Sequence, residues 1–215
     1  HCSFSWSTDE NLAIMGRYID GDNTKAASWK PSNAATRNVT VQWCIISEGL
    51  LTTQIKKSRG ALIKFIGDCS FHHNLMAHNS SRNPRLQGQR GSLKDVVNTV
   101  VYNSPGYGAT PSGGVKFNYV GNYFKPGPDT KDRQHCIGGW GRPTDCQVYL
   151  KGNYHAALRT SEDQEEILVV EPESRRNVVP GRFAVPPVRT TSARQAYEEV
   201  LQYAGCIAPC RDRVD

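Results

Sequence analysis

The stretch Val115-Lys-Phe-Asn-Tyr-Val-Gly-Asn-Tyr-Phe124 joins an alternating, aromatic-rich run to a Gly-Asn turn, and variants of this pattern recur along the chain. Alternation of apolar and polar residues with β-branched and aromatic side chains predicts β-strands and not helices. Each variant carries a Cys or Asn marker. The marked segments are His1-Cys2-Ser3-Phe4, Trp43-Cys44-Ile45-Ile46, His73-Asn74-Leu75-Met76, Val97-Asn98-Thr99-Val100, Gly121-Asn122-Tyr123-Phe124 and Gly152-Asn153-Tyr154-His155.

The spacing of these markers indicates a coiled repeat. Successive markers lie 42, 30, 24, 24 and 31 residues apart. Steps in this range are typical of solenoids, in which each unit buries its apolar face against its neighbours. One short cluster of strands per coil fits a parallel β-helix better than a propeller blade, which needs four strands. We therefore predict an all-β fold, a parallel β-helix solenoid with long loops, whose coils occupy residues 1–155.

The markers are predicted to stack inside the solenoid. A stacked amide can donate to one neighbouring coil and accept from the other, which satisfies its polar atoms in the core. Cys2 and Cys44 would hold the same column as small apolar substitutes. The alternative, that asparagine marks ordinary turns, is the weaker one because four successive segments match. The asparagines of this predicted ladder are Asn74, Asn98, Asn122 and Asn153.

Residues 156–215 are predicted to belong to the same domain, as a wrapping segment followed by one amphipathic helix. Thr191 or Ser192 can cap the helix, and Gly205 can end it. We expect its apolar stripe to pack on the solenoid. That stripe consists of Ala193, Ala196, Tyr197, Val200, Leu201 and Ala204.

Composition limits the function classes. The chain has 215 residues, of which 38% are hydrophobic, enough for one large core. The chain contains no run of eighteen apolar residues, so no membrane helix is predicted. We expect a monomer without a membrane partner. The net charge of +6 suits a polyanion. Nucleic acid is one candidate, although the charge is diffuse and no nucleic-acid motif is present, and an acidic polysaccharide fits equally well.

The seven cysteines favour secretion, to an extracellular or periplasmic location. Cys136 with Cys146, and Cys206 with Cys210, bracket short loops and could each form a local disulfide. Metal binding by these four is the rival interpretation, although their spacing is not that of paired CxxC zinc sites. Because the first marker is the second residue of the chain, we also expect further coils and a cap before His1.

Three segments together carry a family resemblance. They are residues 1–10 (His-Cys-Ser-Phe-Ser-Trp-Ser-Thr-Asp-Glu), residues 38–50 (Asn-Val-Thr-Val-Gln-Trp-Cys-Ile-Ile-Ser-Glu-Gly-Leu) and residues 71–86, which contain His-His-Asn and Arg82-Asn-Pro-Arg85. In this order the chain resembles the pectate lyase family. The resemblance implies a right-handed parallel β-helix that cleaves polygalacturonate, the acid form of pectin, by β-elimination.

The resemblance also implies site residues. Arg82 matches the first arginine of the family's Arg-x-Pro motif and is thereby assigned as the base. Since a guanidinium stays protonated at ordinary pH, this role requires a strongly acidified substrate proton and alkaline conditions. Arg85 would bind a substrate carboxylate through its planar fork. Apart from the resemblance, the alternating exposure expected along this segment predicts that His72 and His78 line the groove.

Calcium (Ca²⁺) is the cofactor that the resemblance implies. Asp9 matches the first acid of a family pattern whose second acid falls here at Ala13, which cannot ligate. Glu10 and Glu48 are the predicted substitutes, because calcium prefers several carboxylate oxygens. The family's substrate-binding lysine would fall near Leu50 or Leu51, and its predicted replacements are Lys56, Lys57 and Lys64.

The sequence therefore predicts a secreted polysaccharide lyase that acts on pectate with calcium. A second hypothesis, from another class, is a non-catalytic β-helix that binds or displays glycans, as an adhesin or tailspike-like module does. Loss of the acid at Ala13 favours the second hypothesis, whereas the intact Arg82-Asn-Pro-Arg85 motif favours the enzyme.

Overall fold

The computed structural model describes residues 1–16, 36–51, 58–64, 67–88, 92–130, 136–138, 146–159, 165, 167–169 and 171–207. Its core is a stack of coils built from three parallel β-sheets. The strands are β1 (Ser3–Ser5), β2 (Glu10–Met15), β3 (Val39–Gln42), β4 (Ile45–Ser47), β5 (Arg59–Lys64), β6 (Cys69–His72), β7 (Leu75–Ala77), β8 (Arg85–Gly88), β9 (Leu93–Val97), β10 (Val100–Tyr102), β11 (Thr110–Gly113), β12 (Lys116–Val120), β13 (Tyr123–Lys125), β14 (Gln147–Lys151) and β15 (Tyr154–His155).

As far as β13, every third strand along the chain joins the same sheet, and the last two strands, β14 and β15, pair with β12 and β13. One sheet has the order β2-β5-β8-β11, the second β3-β6-β9-β12-β14, and the third β1-β4-β7-β10-β13-β15. We call them the first, second and third sheets, because the chain passes through them in that order in each coil. All the pairings between these strands are parallel. The predicted parallel β-helix is confirmed.

Alternation along each strand builds the core. In the third sheet the central residue of each strand points inward and pairs in register with its counterpart in the next coil, so that equivalent side chains stack. Burying such a column removes about 25 cal/mol per Å² of apolar surface from water. The column consists of Phe4, Ile46, Met76, Val101, Phe124 and His155.

The turn from the second sheet into the third repeats one backbone conformation. Its residues all have a positive φ, between 47° and 68°, which bends the chain sharply. Glycine is required at Gly121, where a Cβ would lie 2.5 Å from Asn98 Nδ2. These stacked turn residues are Trp43, His73, Asn98, Gly121 and Gly152.

The residue after each turn forms the amide ladder. Asn74 Oδ1 accepts from Cys44 N–H at 2.9 Å, and Asn74 Nδ2 donates to the Val41 carbonyl at 2.9 Å. Asn122 donates from Nδ2 to Asn153 Oδ1 at 2.9 Å. The predicted ladder is confirmed at Asn74, Asn122 and Asn153, although most of its bonds run from side chain to backbone.

The prediction that Asn98 belongs to the amide ladder is wrong. The ladder position in its coil is held by Thr99, whose N–H donates to Asn122 Oδ1 at 2.9 Å. Asn98 occupies the turn instead, with φ 47°, and hydrogen-bonds in both directions with the backbone of Thr191 at 2.9 Å. The prediction erred because Val97-Asn98-Thr99-Val100 carries two polar residues, and the shift by one residue reverses which side chain faces the core.

The C-terminal segment covers the outside of the coils. Residues 182–188, which we call the strap, run over the second sheet, and Asn118 exchanges two 3.0 Å hydrogen bonds with Phe183. Helix α1 (Ala193–Tyr203) then packs on β10 and β13. Its N-cap is Ser192, whose side chain accepts from Gln195 N–H, as predicted. The stripe is confirmed except at Leu201, which is 42% exposed.

The cysteines depart from prediction in two places. Cys136 and Cys146 are buried thiols and not the predicted disulfide, while Cys210 lies outside the described residues. Cys44 and Cys69 are buried as expected, but Cys2, on the outermost described coil, is exposed. Within the described ranges, no helix is long and apolar enough to cross a membrane.

We expect Asn122→Ala to lower the free energy of unfolding by roughly 2–4 kcal/mol, because it leaves the Thr99 N–H and other ladder groups buried without partners. Gln42→Ala, which removes an exposed amide from β3, should change it by less than about 0.5 kcal/mol. Urea denaturation measures both. Equal stability losses in the two variants would contradict a structural role for the ladder.

A buried histidine pair lies where β6 meets the turn. His72 Nδ1 and His73 Nδ1 are 2.9 Å apart, and the His73 ring stacks on Trp43 with centroids 4.5 Å apart. Burial, followed by the charge of His72, lowers the pKa of His73 to about 4. Burial also lowers the pKa of His72, partly opposed by Asp95. Both rings are therefore neutral at pH 7.

This pair should make the fold sensitive to acid. Between the unfolded histidine pKa of about 6.5 and the folded pKa of about 4, the unfolded chain binds more protons, so stability falls as the pH falls. His73 alone accounts for a loss on the order of 3 kcal/mol across this window. Denaturation midpoints measured at pH 7 and pH 4 should differ less in His73→Asn than in wild type. A pH dependence in His73→Asn as steep as that of wild type would contradict this role of the buried pair.

Candidate active site

Charged residues gather where the chain enters the strands of the first sheet. Glu10 begins β2 and pairs in register with Arg59, which begins β5. Arg59 in turn bridges to Ser81 of the next coil, directly before Arg82. Stacking of three successive coils therefore places residues far apart in sequence side by side. We call Asp9, Glu10, Arg59, Arg82 and Arg85 the arginine cluster.

The backbone around Arg82 is fixed from both sides. Arg82 has φ 62°, and its carbonyl accepts from Ala61 N–H at 2.7 Å. The following Asn83 is buried and donates to Ser104 Oγ at 3.0 Å. Gly60 is required beneath this turn, since a Cβ there would lie 2.7 Å from the Arg82 carbonyl oxygen. The guanidinium of Arg82 therefore projects from a rigid turn.

Ion pairs link Asp9, Glu10, Arg59 and Arg82 within the arginine cluster. Arg59 lies 2.5 Å from Asp9 Oδ1 and 3.6 Å from Glu10 Oε1. Arg82 forms an ion pair with the same Glu10 oxygen. The side chains of Glu10 and Arg82 are only 11% and 19% exposed, whereas Asp9 is 47% exposed. Glu10 therefore sits between two guanidinium groups, away from bulk water.

The cluster carries more positive than negative charge, because three arginines face two carboxylates. Burial lowers the pKa of Arg82; the nearby charge of Arg85 lowers it further, and Asp9 opposes both effects. Burial likewise lowers the pKa of Arg85, with Arg59 adding to the effect. Both arginines thus give up a proton more readily than an exposed arginine, and they attract anions.

Each predicted calcium ligand has a side-chain partner within the protein. Asp9 and Glu10 are paired with arginines, and Glu48 accepts from Trp6 Nε1 at 2.8 Å. In the part of the chain that the structure describes, no group of three or more His, Cys, Asp or Glu residues could hold a metal ion. A site whose carboxylates are already neutralised by guanidinium groups does not fit calcium, which needs several anionic oxygens.

The two groove histidines lie apart from each other. His78 is exposed, at the turn after β7, where its Nδ1 accepts from Asn103 Nδ2 at 2.9 Å. His72 is on the outward face of the second sheet and lines a different cavity. The structure thus brings Arg82 and Arg85 together with Asp9 and Glu10, and it places His72 on a different face of the solenoid. Glu48 and His78 lie at the turns after β4 and β7, where the Glu48 carbonyl accepts from Trp6 N–H and the His78 carbonyl accepts from Ser58 Oγ, next to Arg59.

Sequence reasoning missed Arg59. It sought a lysine, but Lys56 and Lys57 lie outside the described residues, and Lys64 is at the far end of β5 from Arg59. The signal was present in Ser58-Arg59-Gly60, where a charge precedes an apolar run one coil before Arg82. Only the register that pairs Glu10 with Arg59 shows that the two belong to one cluster.

Comparison with known proteins gives named relatives. The whole chain aligns over 222 residues with the Probable pectate lyase C of Neosartorya fischeri at 31% identity, and with that of Aspergillus fumigatus at 30%. The protein of the same name from Aspergillus terreus is 36% identical over 134 residues, which cover 60% of this chain and 26% of that protein.

The chain spans 46% of the length of the first two relatives. No family model matches it. The alignments nevertheless extend from one end of the chain to the other, through all the coils, and are not confined to the arginine motif. The chain belongs to the pectate lyase family.

Proposed function

We propose that this protein is a polysaccharide lyase that cleaves polygalacturonate by β-elimination, with Arg82 as the base. The observation that carries the proposal is the arginine cluster, in which a rigidly held, partly buried guanidinium adjoins two further arginines. The named relatives support a pectin-type substrate. Secretion and a monomeric state belong to the same proposal.

The reaction makes three demands on the site. A base removes the C5 proton, and the electron pair of that bond forms a double bond between C4 and C5. The bond from C4 to the glycosidic oxygen breaks, its electron pair leaves on that oxygen, and the oxygen takes a proton from water. Positive charge must also neutralise the uronate carboxylate and the enolate-like intermediate. Arg59 and Arg85 supply that charge, and the lowered pKa of Arg82 favours its neutral, basic form.

Glu10 has a defined part in this scheme. Its ion pair holds the Arg82 guanidinium in place before substrate binds. The same negative charge favours protonated Arg82 and therefore works against the base. An incoming uronate carboxylate competes with Glu10 and Asp9 for the three arginines, so binding of substrate can free Arg82 from its partner.

The calcium concentration is varied in the assays, and no step of the proposed reaction is assigned to calcium. Because the described carboxylates do not fit a calcium site, each assay below is run with added calcium chloride and with a chelator. A faster reaction with calcium would mean that the ion on the substrate carboxylate acidifies the C5 proton, whereas equal rates would assign that charge neutralisation to the arginine cluster.

We expect Arg82→Ala to slow the formation of unsaturated uronate from polygalacturonate by at least about 100-fold, the usual contribution of a general base. Ultraviolet absorbance of the new double bond measures the rate. Arg175→Ala removes an exposed arginine from the 3₁₀ helix Pro172–Asn177 and should retain full activity. Product formation that is insensitive to Arg82→Ala would falsify the assignment of the base.

We expect Glu10→Gln to move the alkaline rise of the rate to lower pH. Loss of the carboxylate removes an interaction that favours the charged guanidinium, so the pKa of Arg82 falls further. A pH–rate profile measures the shift, and Glu198→Gln, an exposed site on α1, serves as the control. An unchanged profile in Glu10→Gln contradicts a proton transfer through Arg82.

The second candidate is a non-catalytic glycan-binding module. The specific observation in its favour is that both acidic residues of the cluster are neutralised, which leaves a surplus positive charge that can hold an anionic glycan without chemistry. Saturable binding of polygalacturonate without any unsaturated product, in wild type and at alkaline pH, would select this function over the lyase.

A further inference from the structure

Two segments of the sequence carry the Asn-x-Ser/Thr pattern that accepts N-linked glycans. They are Asn38-Val-Thr40 and Asn79-Ser-Ser81. The pattern alone does not distinguish them, and the lyase scheme uses neither asparagine. A glycan is bulky and hydrated, so the folded protein can carry one only where the asparagine side chain reaches solvent. The structure therefore decides which of the two can be modified.

Asn79 is enclosed by the fold. It is 0% exposed, and its Nδ2 donates to the Ile46 carbonyl at 2.8 Å and to Asn83 Oδ1 at 3.2 Å. Its Oδ1 accepts from Gly49 N–H and from Asn11 Nδ2, each at 3.1 Å. A sugar on Nδ2 would replace one of the two donated hydrogens and would have to lie inside the solenoid. The fold therefore excludes a glycan at Asn79.

Asn38 lies in the opposite environment. It is exposed, with φ 55°, immediately before β3, and its side chain makes no hydrogen bond to any residue within the described ranges. Thr40, which completes the pattern, is exposed as well. Asn38 also lines an open cavity of about 380 Å³ between the second sheet and the strap, so there is space beside its side chain.

The position of Asn38 is separate from the arginine cluster. The cluster lies where the chain enters β2, β5 and β8 of the first sheet, whereas β3 belongs to the second sheet. None of the residues that line the cavity beside Asn38 belongs to the arginine cluster. A glycan at Asn38 would therefore project from another side of the solenoid and leave the candidate active site open.

We propose that Asn38 is N-glycosylated. The proposal rests on the proposed secretion, through the pathway of a fungal cell because the named relatives are fungal, and not on the lyase reaction. The donor is an oligosaccharide carried on a lipid pyrophosphate. A bond forms between Asn38 Nδ2 and the anomeric carbon of the first sugar, and the amide nitrogen gives up one proton to a base of the transferring enzyme. The bond from that carbon to the pyrophosphate oxygen breaks, and its electron pair leaves with the lipid pyrophosphate.

Expression of the whole chain in yeast, behind a cleavable secretion signal, tests this proposal. Intact mass spectrometry before and after enzymatic release of N-glycans should show that wild type loses the mass of one oligosaccharide. Thr40→Ala, which removes the first pattern but keeps Asn38, should show no loss. Ser81→Ala, which removes the second pattern but keeps Asn79, should lose the same mass as wild type. The releasing enzyme converts the glycan-bearing asparagine to aspartate, so peptide mass spectrometry should find that conversion at Asn38.

No mass loss in wild type overturns the proposal, as does an equal loss in Thr40→Ala or a conversion found at Asn79. Protein from the medium and from the cells is analysed, because the sugar is added before export and a retained variant still gives a result. Formation of unsaturated uronate is measured separately on the same samples. Because the mass change does not depend on that rate, failure of the glycosylation proposal and failure of the lyase proposal are distinguishable.

Discussion

The whole structure depends on one backbone constraint, the left-handed turn that leads each coil from the second sheet into the third. Residues such as His73 and Gly121 adopt this conformation in register, and each donates its N–H to a carbonyl of the following coil. Because the turns stack, the next position of every coil points inward, where Asn74 and Asn122 satisfy the backbone of the turns. Any coil that lost the turn would also lose its register with both neighbours.

The same register creates an unusual concentration of charge. Glu10, Arg59 and Arg82 come from three coils, and only the stacking of those coils makes them neighbours. Like charges at such short range oppose one another, so the cluster persists because rigid strands and turns hold it. Groups held in an unfavourable electrostatic setting are typical of sites that bind or transform ligands.

The fold could be predicted well because strand alternation and the repeated marker are both visible in the linear sequence. The prediction placed Asn122 correctly and Asn98 wrongly, since one residue of slip between Asn98 and Thr99 leaves the pattern almost unchanged but changes which side chain is buried. For the candidate site, a local motif in the sequence predicted a role for Arg82, which the structure places in the arginine cluster. It could not identify Arg59, whose partner Glu10 lies 49 residues earlier, because that pairing is a property of coil stacking and not of any local pattern.

The path of the C-terminal segment has a mechanical consequence. From its contact with Asn118 it passes Asn98, and after α1 it reaches the earliest coils, where Gly205 N–H donates to Trp43 and Cys206 N–H to Ser3. A solenoid whose units touch only adjacent units can fray one unit at a time. Here one C-terminal segment is hydrogen-bonded to several coils along the stack. Unfolding of one coil would therefore disrupt contacts made by the others, and we expect the coils to unfold cooperatively.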